Sequence, residues 1–395
     1  TSPARQVVAT GCLLGSLATL FLHEIPMSQL FSPFAIGPVS LPNRIVVAPM
    51  CQYSADDGCM NDWHLQHLMN LAMSGAGLVV VEATAVERLG RITHGCVGLY
   101  SDANERALKR VLDAARAVAL PGTKFGIQIG HAGRKASSER PWEGGLALKD
   151  NADPWPTVAA SAIAFDEGWH LPREMTGQDK VRIAAAFVQA AERAVRIGFD
   201  AVELHMAHGY LLHNVMSPIS NTRTDGFGGS RENRFAWPLS IAAAVKAALP
   251  ASIALGARIT GQDWSDDGLQ VADAVALASE LKSAGLDFVC VSSGGITPRV
   301  RVQVKPGYQV PFAEAVKTGA GIATRAVGLI NTARQAEDII AGGAADMVAI
   351  GRGLLDNPRW GWHAAEELGV ELTYPPQYAR VAKRVWPGAG LARPR

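Results

Sequence analysis

The chain has 395 residues, of which 48% are hydrophobic and 18% are charged. This balance is typical of a globular protein with a large buried core and argues against a disordered chain. Its 37 basic and 36 acidic residues leave a net charge of +1, and no long block of one sign occurs. We therefore expect neither a nucleic-acid partner nor a membrane partner.

Cysteine usage indicates a reducing compartment. The cysteines are odd in number and scattered, and no two of them form the C-x-x-C spacing of a zinc or iron–sulfur site. A cytoplasmic location is the simpler interpretation. The five are Cys12, Cys51, Cys59, Cys96 and Cys290.

The first 26 residues differ from the rest of the chain, and we predict that they lie outside the fold. An apolar stretch over residues 7–22 follows Arg5 and resembles a weak signal peptide, but it is too short and interrupted to span a membrane. Residues 9–12 resemble a lipoprotein cleavage box, yet such a box should follow the apolar stretch. An appended or upstream-translated leader is the alternative, because Met27 reads as a natural start. We expect one domain over residues 27–380 and a tail over 381–395.

From residue 43 onward, runs rich in Val, Ile and Leu alternate with Ala-rich helical patterns, which indicates parallel strands with crossover helices. The predicted strands are residues 43–48, 78–82, 125–129, 201–204, 253–258, 288–292, 324–327 and 347–350. The predicted helices include residues 101–119, 176–197, 271–284 and 333–341, and Gly198, Gly285 and Gly342 are suited to C-caps. Eight such units predict an α/β fold, a single (β/α)8 TIM barrel. A doubly wound open sheet is the alternative, although no strand precedes G-x-G-x-x-G.

One connection in this barrel is unusually long. Roughly seventy residues separate the third and fourth predicted strands, and residues 131–172 are rich in Trp, Pro, Gly and Ser. Loops of this length are usually functional. We predict a capping loop over the C-terminal mouth of the barrel, where catalytic groups of this fold lie.

Polar and reactive side chains follow several of the predicted strands at their C-terminal ends. Because those ends all face one mouth, we expect the side chains to form one site. The residues are Cys51 and Tyr53 after the first strand, Gln128 and His131 at the third, His205 and His208 after the fourth, and Arg258 at the fifth.

The densest chemical motif is His205-x-x-His208-x-Tyr210. It is compatible with a metal pair, but no clear third ligand accompanies it, so we predict no metal. Two neutral imidazole N–H groups aimed at one oxygen would polarise a carbonyl or nitro group and leave the β-carbon of a conjugated alkene electron-poor. Tyr210, with an ordinary pKa near ~10, would keep a proton to give to the resulting carbanion.

Glycines follow the last two predicted strands, in the runs VGLI at 327–330 and IGRG at 350–353. Phosphate sites in this fold commonly form there from backbone N–H groups and a nearby cation. Gly328, Gly351 and Arg352 therefore indicate a cofactor that carries a phosphate, although glycines that only turn the chain are the plainer alternative.

The sequence resembles the Old Yellow Enzymes, a family of FMN-dependent ene reductases, over residues 30–380. The resemblance is carried by NRIVVAPMCQY at 43–53, VEATAV at 81–86, QIGHAGRK at 128–135 and the long run at 214–234. Cys51 stands where the archetypal members have Thr, and the pair His205/His208 replaces His/Asn. Both features resemble the thermophilic-like subclass, which includes xenobiotic reductases.

The resemblance implies roles for individual residues. Cys51 would lie beside the reactive edge of the flavin and tune its potential, whereas without the motif a structural buried thiol would be the simpler reading. Tyr53 would help to hold the substrate oxygen, and Arg258 would offset charge on the reduced ring. The ring would be contacted by Pro49, Met50, Cys51, Ala83, Gln128 and Arg258, and the phosphate by Gly328, Gly351 and Arg352.

The resemblance also implies a homo-oligomer, either a homodimer or a dimer-based tetramer. In the subclass an Arg of the C-terminal tail enters the substrate site of a neighbouring subunit, and Arg380 in the run YAR at 378–380 matches that position. The chain continues for fifteen residues beyond Arg380, which departs from the family pattern.

The implied reaction has two halves. NADPH or NADH reduces FMN, and hydride then passes from flavin N5 to the β-carbon of an α,β-unsaturated carbonyl or nitro compound while Tyr210 protonates the α-carbon. Three alternatives stay open at this point. They are an FMN barrel with an added iron–sulfur cluster, a metal-dependent hydrolase that uses His205 and His208, and a non-catalytic flavin sensor that uses Cys51.

Overall fold

The computed structural model describes residues 28–393. Its strands are β1 (Phe34–Ile36), β2 (Val39–Leu41), β3 (Ile45–Val47), β4 (Leu78–Ala85), β5 (Lys124–Gly130), β6 (Val158–Ala159), β7 (Arg173–Glu174), β8 (Ala201–Met206), β9 (Ala254–Thr260), β10 (Phe288–Ser292), β11 (Ala323–Ala326) and β12 (Met347–Ile350). Eight of them form a closed parallel barrel in the order β3-β4-β5-β8-β9-β10-β11-β12. The predicted (β/α)8 barrel is therefore confirmed, and each predicted strand corresponds to one strand of the barrel.

The helices surround the barrel. They are α1 (Asp62–Ala72), α2 (Asp102–Val118), α3 (Gly177–Ile197), α4 (Leu211–Met216), α5 (Arg231–Ala248), α6 (Val271–Ser283), α7 (Val310–Ala320), α8 (Ala333–Ala341), α9 (Arg352–Asp356), α10 (Trp360–Glu367) and α11 (Ala389–Ala392). The four helices predicted from sequence are α2, α3, α6 and α8. Their polar N-caps explain the sharp starts: the Ser101 hydroxyl accepts from the backbone of Asn104, for example.

The C-cap predicted at the end of α8 is confirmed, but its backbone is not left-handed. Gly342 follows α8 but has a φ of −74°, within the right-handed region. The next residue, Gly343, takes the left-handed conformation at φ +78° instead. Two consecutive glycines at the end of a helix leave open which of them reverses the chain, since either accepts positive φ without a steric cost.

A hairpin that the sequence analysis did not predict closes the N-terminal end of the barrel. Strands β1 and β2 pair antiparallel, and their fully buried side chains Ile36 and Leu41 join an apolar cluster with Leu78 and Phe288. Leu78 and Phe288 are the first residues of β4 and β10. The hairpin thus keeps water from the bottom of the barrel and leaves one open mouth.

A cluster of three buried polar side chains lies inside the barrel. The Gln128 amide on β5 donates to Glu203 Oε1 on β8 at 2.7 Å, and Arg325 on β11 pairs with the other carboxylate oxygen of Glu203. All three side chains are buried. This arrangement links three strands across the barrel below the mouth.

The predicted capping loop lies at the C-terminal mouth. It contains the 3-10 turns Gly133–Lys135, Pro141–Glu143 and Asp150–Ala152. Arg134 donates from Nη2 to the carbonyl of Ile296 at 2.7 Å, and Arg140 donates from Nε to the carbonyl of Tyr53 at 2.9 Å. The loop is therefore anchored to segments that follow two different barrel strands.

The C-terminal segment packs on its own chain. Tyr374 lies edge-on to Trp362 with ring centroids 4.8 Å apart, and Arg393 pairs with Glu366 of α10. Arg380 lies on the exposed 3-10 helix Pro376–Val381.

The leader predicted over residues 1–26 falls outside the described residues. Within residues 28–393, no helix is both long enough and apolar enough to cross a membrane.

Candidate active site

A cleft of about 360 Å³ opens at the mouth beside the ends of β3, β9, β11 and β12. Six of the residues predicted to bind the cofactor line it, namely Pro49, Met50, Arg258, Gly328, Gly351 and Arg352. Tyr308 and Gln309 also line the cleft, although they were not predicted from the sequence. They lie in the connection between β10 and α7, where no glycine pattern or motif marked them.

The cleft has a glycine end, formed by Gly328, Gly351 and Arg352. Gly328 has a φ of +110°, a conformation that L side chains rarely adopt, so the chain turns there without a Cβ in the cleft. The buried Nε of Arg258 has no hydrogen-bond partner among residues 28–393. Exposed backbone, a cation at Arg352 and an unpartnered guanidinium nitrogen suit a ligand with anionic or carbonyl acceptors.

The opposite side of the mouth is the histidine end, formed by His205, His208 and Tyr210. The ring centroids of His205 and His208 are 5.1 Å apart, and those of His205 and Tyr210 are 4.8 Å apart. His205 is buried, whereas His208 and Tyr210 keep part of their surface exposed. The structure thus brings together the three residues that one short motif indicated, immediately after β8.

The environment of the histidine end keeps its groups uncharged. Burial, with a smaller contribution from Arg258, holds the pKa of both His205 and His208 well below the ordinary value. Burial also raises the pKa of the Tyr210 hydroxyl far above its ordinary range. At neutral pH the site therefore contains two neutral imidazoles beside a phenol that keeps its proton.

Cys51 and Ala83 occupy positions between the two ends. Burial raises the pKa of the Cys51 thiol, and nearby Glu82 adds to this effect, so Cys51 is a neutral thiol at pH 7. Ala83 lines a small cavity together with His205 and Tyr210. Gln128 lies deeper, where its amide donates to Glu203, and its contact with a cofactor stays a prediction.

Tyr53 lies under the capping loop in a left-handed backbone conformation, at φ +49°. Arg140 donates to its carbonyl, and its ring meets that of Trp142 edge-on at 6.0 Å. Burial, and then the proximity of Cys51 and Tyr210, raises the pKa of the Tyr53 hydroxyl. Tyr53 is therefore a protonated phenol, and its contact with a substrate oxygen stays a prediction.

Lys135 is a charged residue of the site that the sequence analysis did not single out. Its Nζ donates to the carbonyls of His208 at 2.9 Å and Gly295 at 3.2 Å, and lies 5.3 Å from the ring centroid of Tyr210. Burial, with a smaller contribution from Arg134, lowers its pKa to about 8. Lys135 is the last residue of the motif QIGHAGRK, but only the fold shows that it supports the loop after β8.

A buried pair lies behind Cys51. Glu82 accepts from the backbone of Gln52 at 3.0 Å, and its Oε1 is 3.6 Å from His64 Nε2. Burial raises the pKa of Glu82 to about 8 and lowers that of His64 to about 4. Both groups are therefore mainly neutral at pH 7. In the part of the chain that the structure describes, no group of three or more His, Cys, Asp or Glu side chains is arranged to hold a metal ion.

The fold and this site first define a class: barrel oxidoreductases whose cofactor carries a phosphate. Residues 29–371 match the model of the NADH:flavin oxidoreductase / NADH oxidase family, and the chain belongs to this family. It is 43% identical to the NADPH dehydrogenase of Listeria innocua over 359 residues, which are 90% of this chain and all of the relative. The predicted membership of the Old Yellow Enzymes is thereby confirmed.

Solved structures agree with this assignment. Morphinone reductase is 27% identical, with a TM-score of 0.70 over 90% of this chain and 93% of that one. A 2-naphthoyl-CoA reductase with bound 2-naphthoyl-CoA has a TM-score of 0.77 at 24% identity, and this chain spans 52% of its length. That second likeness shows the fold alone.

Family membership confirms three of the predictions made from sequence. The protein is an enzyme, its cofactor is FMN, and NAD(P)H is the reductant. The cleft fits the cofactor, since it offers glycine backbone, Arg352 and the unpartnered Nε of Arg258. Membership of this oxidoreductase family argues against both the metal-dependent hydrolase and the non-catalytic sensor.

Proposed function

We propose that this enzyme reduces the carbon–carbon double bond of α,β-unsaturated carbonyl or nitro compounds. The observation that carries the proposal is the histidine end, where two neutral imidazoles and one protonated phenol meet at the mouth. FMN, when bound in the cleft, supplies the hydride that it has received from NADPH or NADH. The remaining steps belong to side chains of this chain.

His205 and His208 hold and polarise the oxygen of the substrate. Because both are neutral, each can donate one N–H without the desolvation cost of a buried charge. The developing negative charge on that oxygen is stabilised, and the β-carbon becomes electron-poor. Tyr53 assists from the side of the capping loop, where its high pKa leaves its hydroxyl protonated.

Tyr210 gives its proton to the α-carbon. Its raised pKa means that the phenol is fully protonated at working pH, and a strongly basic carbanion is able to remove that proton. Lys135 lies beside its ring and holds the preceding loop. Tyr210 therefore acts as the general acid of the alkene step.

The other predicted residues hold FMN in this proposal. Gly328, Gly351 and Arg352 take the phosphate, which fits their place at the glycine end. The ring is contacted by Pro49, Met50, Cys51, Ala83, Gln128 and Arg258.

Cys51 acts as a neutral thiol that adjusts the redox potential of the flavin. Cys51→Ala should therefore shift the midpoint potential of the flavin, measured by spectroelectrochemistry. An unchanged potential would refute this role.

We further propose a homodimer or a dimer-based tetramer, in which Arg380 enters the substrate site of a neighbouring subunit. Its position on an exposed 3-10 helix supports this. A monomer in analytical ultracentrifugation would contradict the proposal.

A cytoplasmic location is supported by the free thiols of Cys51, Cys59, Cys96 and Cys290. Recovery of the protein in an exported fraction of the producing cell would contradict this location.

The function is tested with Tyr210→Phe in the two half-reactions measured separately by stopped flow. Alkene reduction should slow by about 10²- to 10⁴-fold, the usual contribution of a general acid, while reduction of the enzyme by NADPH is unchanged. Tyr100→Phe is the matched control, because its hydroxyl bonds the Asp57 carbonyl outside the cleft. Equal losses in both half-reactions would refute the role of Tyr210.

A further inference from the structure

His208 contacts a chain of polar side chains that the proposed function does not use, buried at Ser292 and Gln309 and half-buried at Ser293. Its Nε2 lies 2.8 Å from the hydroxyl of Ser292, the last residue of β10. With the Gln309 amide in the orientation shown, that hydroxyl donates to Gln309 Oε1 at 2.9 Å, and the Ser293 hydroxyl donates to the same oxygen at 3.1 Å. Ser292 and Gln309 are 3% and 5% exposed, so water does not replace these partners.

A neutral imidazole has a single N–H, and the partner of one ring nitrogen decides whether the other carries the proton. In His205 the ring nitrogen that carries the hydrogen can be assigned. Its Nδ1 lies 3.3 Å from the backbone N–H of Ala207 and accepts from it, so Nε2 carries the hydrogen. This nitrogen faces His208.

His208 faces His205 through the opposite nitrogen. Its Nδ1 lies 3.4 Å from Nε2 of His205, so these two atoms border the same space. If His208 is to donate to an oxygen placed there, its hydrogen must be on Nδ1. Its Nε2 must then accept a hydrogen bond, and Ser292 is the group within reach.

We propose that Ser292 is a positioning residue that fixes the tautomer of His208, by donating its hydroxyl hydrogen to Nε2 and so keeping the N–H on Nδ1. The inference rests on the proposed function, which requires both histidines to donate to one oxygen. Without that hydrogen bond, the proton is free to occupy Nε2, where it points away from His205.

Donation by Ser292 also determines which end of the Gln309 amide faces the two serines. Once Ser292 gives its hydrogen to His208, its oxygen can only accept, so the amide of Gln309 must turn its NH2 toward it. The NH2 has two hydrogens, and two serine oxygens lie within reach, Ser292 and Ser293. The turn exchanges the positions of the amide oxygen and nitrogen but leaves the space that the amide fills nearly unchanged, because the two ends of an amide have nearly the same shape.

The amide orientation shown, with Oε1 of Gln309 toward the serines, gives the other tautomer of His208. Both serine hydroxyls would then donate to the amide oxygen of Gln309, and Ser292 would have no hydrogen left for His208. His208 would have to donate from Nε2, and only His205 would remain to polarise the substrate. Two hydrogen-bond networks therefore exist, and the two-donor site requires the first.

The test compares Ser292→Ala with Ser292→Thr in the FMN-loaded enzyme. In 15N spectra of protein with labelled histidine rings, we expect the wild type and Ser292→Thr to carry the His208 proton on Nδ1. Ser292→Ala should move it wholly or partly to Nε2. Alkene reduction should fall about 10-fold or more in Ser292→Ala, approaching the loss of one oxyanion donor, and recover in Ser292→Thr, while reduction by NADPH is unchanged.

The spectrum is independent of turnover, which separates the possible failures. An active enzyme whose wild-type His208 carries its proton on Nε2, or an unchanged tautomer in Ser292→Ala, would overturn the role of Ser292 alone. A tautomer that follows Ser292 in a protein that reduces no activated alkene would overturn the proposed function alone. The wild-type spectrum keeps the test decisive if Ser292→Ala does not fold.

Discussion

The glycine end and the histidine end of the mouth use different parts of the chain. Gly328 and Gly351 contribute backbone, and Arg352 contributes an exposed cation. At the histidine end, by contrast, buried and half-buried side chains form the site, and His208 depends on further residues, Lys135 and Ser292. The difference indicates that cofactor affinity and alkene chemistry are determined separately, so substitutions should affect one without the other.

The largest expected effect comes from the histidine end. His205→Ala removes one of the two proposed polarising donors and should slow alkene reduction by about 10²- to 10³-fold, as the loss of an oxyanion-hole donor does. The dissociation constant of FMN, measured by fluorescence titration, should not change. His363→Ala is the control, because its ring bonds Asn357 away from the mouth. A weaker FMN complex in His205→Ala would remove the distinction between the two ends.

The converse substitution is Arg352→Met at the glycine end. Losing a hydrogen bond to a charged phosphate costs about 1.5–3 kcal/mol, so FMN should bind roughly ten- to a hundred-fold more weakly. With FMN in saturating excess, the rate constant of alkene reduction should be that of the wild type. Arg334→Met provides an exposed control on α8. Equal FMN affinity in Arg352→Met and the wild type would show that Arg352 does not hold the phosphate.

The neutral imidazoles predict a loss of stability in acid. The folded-state pKa values of His205 and His208 lie well below 6.5, and those of His64 and His67 are lowered by burial to about 4. Below about pH 6.5 the unfolded chain binds protons that the folded state does not. Each of these histidines therefore removes up to about 1.4 kcal/mol of stability per pH unit as the pH falls.

Urea unfolding at a series of pH values measures this slope. Glu82 acts in the opposite direction, because its raised pKa of about 8 costs stability as the pH rises from about 4.5. One carboxyl group does not cancel four histidines below pH 6.5. His205→Ala should reduce the slope, and a stability that stays constant between about pH 7 and 5 would contradict neutral burial of these rings.

The smallest expected effect is that of Lys135→Met, which tests the supporting residues of the histidine end. It leaves the carbonyls of His208 and Gly295 without their donor, at a cost of about 1 kcal/mol in the free energy of unfolding. Alkene reduction should slow, because His208 is less firmly held, while FMN affinity stays unchanged. Lys149→Met is an exposed control. An effect on FMN affinity alone would assign Lys135 to the cofactor instead.

The barrel could be predicted from sequence because its strands are continuous apolar runs buried on both faces, which stand out against Ala-rich helices. The β1–β2 hairpin could not. Its two strands have three residues each, too few to show an alternating pattern. Its buried residues Ile36 and Leu41 gain their environment from strands far along the chain.

The histidine end could be predicted because His205, His208 and Tyr210 lie in one six-residue run. Its supporting residues could not be predicted, because Lys135 and Ser292 reach His208 from segments that follow β5 and end β10. Gln128 shows the same limit: its hydrogen bond to Glu203 joins residues 75 positions apart, and no local pattern indicates it.

Two side chains that we propose to bind the substrate, Tyr53 and His208, have left-handed backbone, at φ +49° and +60°. For residues with a Cβ this conformation costs on the order of 1–2 kcal/mol each. Tyr53→Gly or His208→Gly would relieve that cost and also remove a side chain to which we assign substrate binding. A library screened only for resistance to heat would therefore enrich damaged enzymes at these two positions, and selection for a more durable catalyst has to measure turnover at the same time.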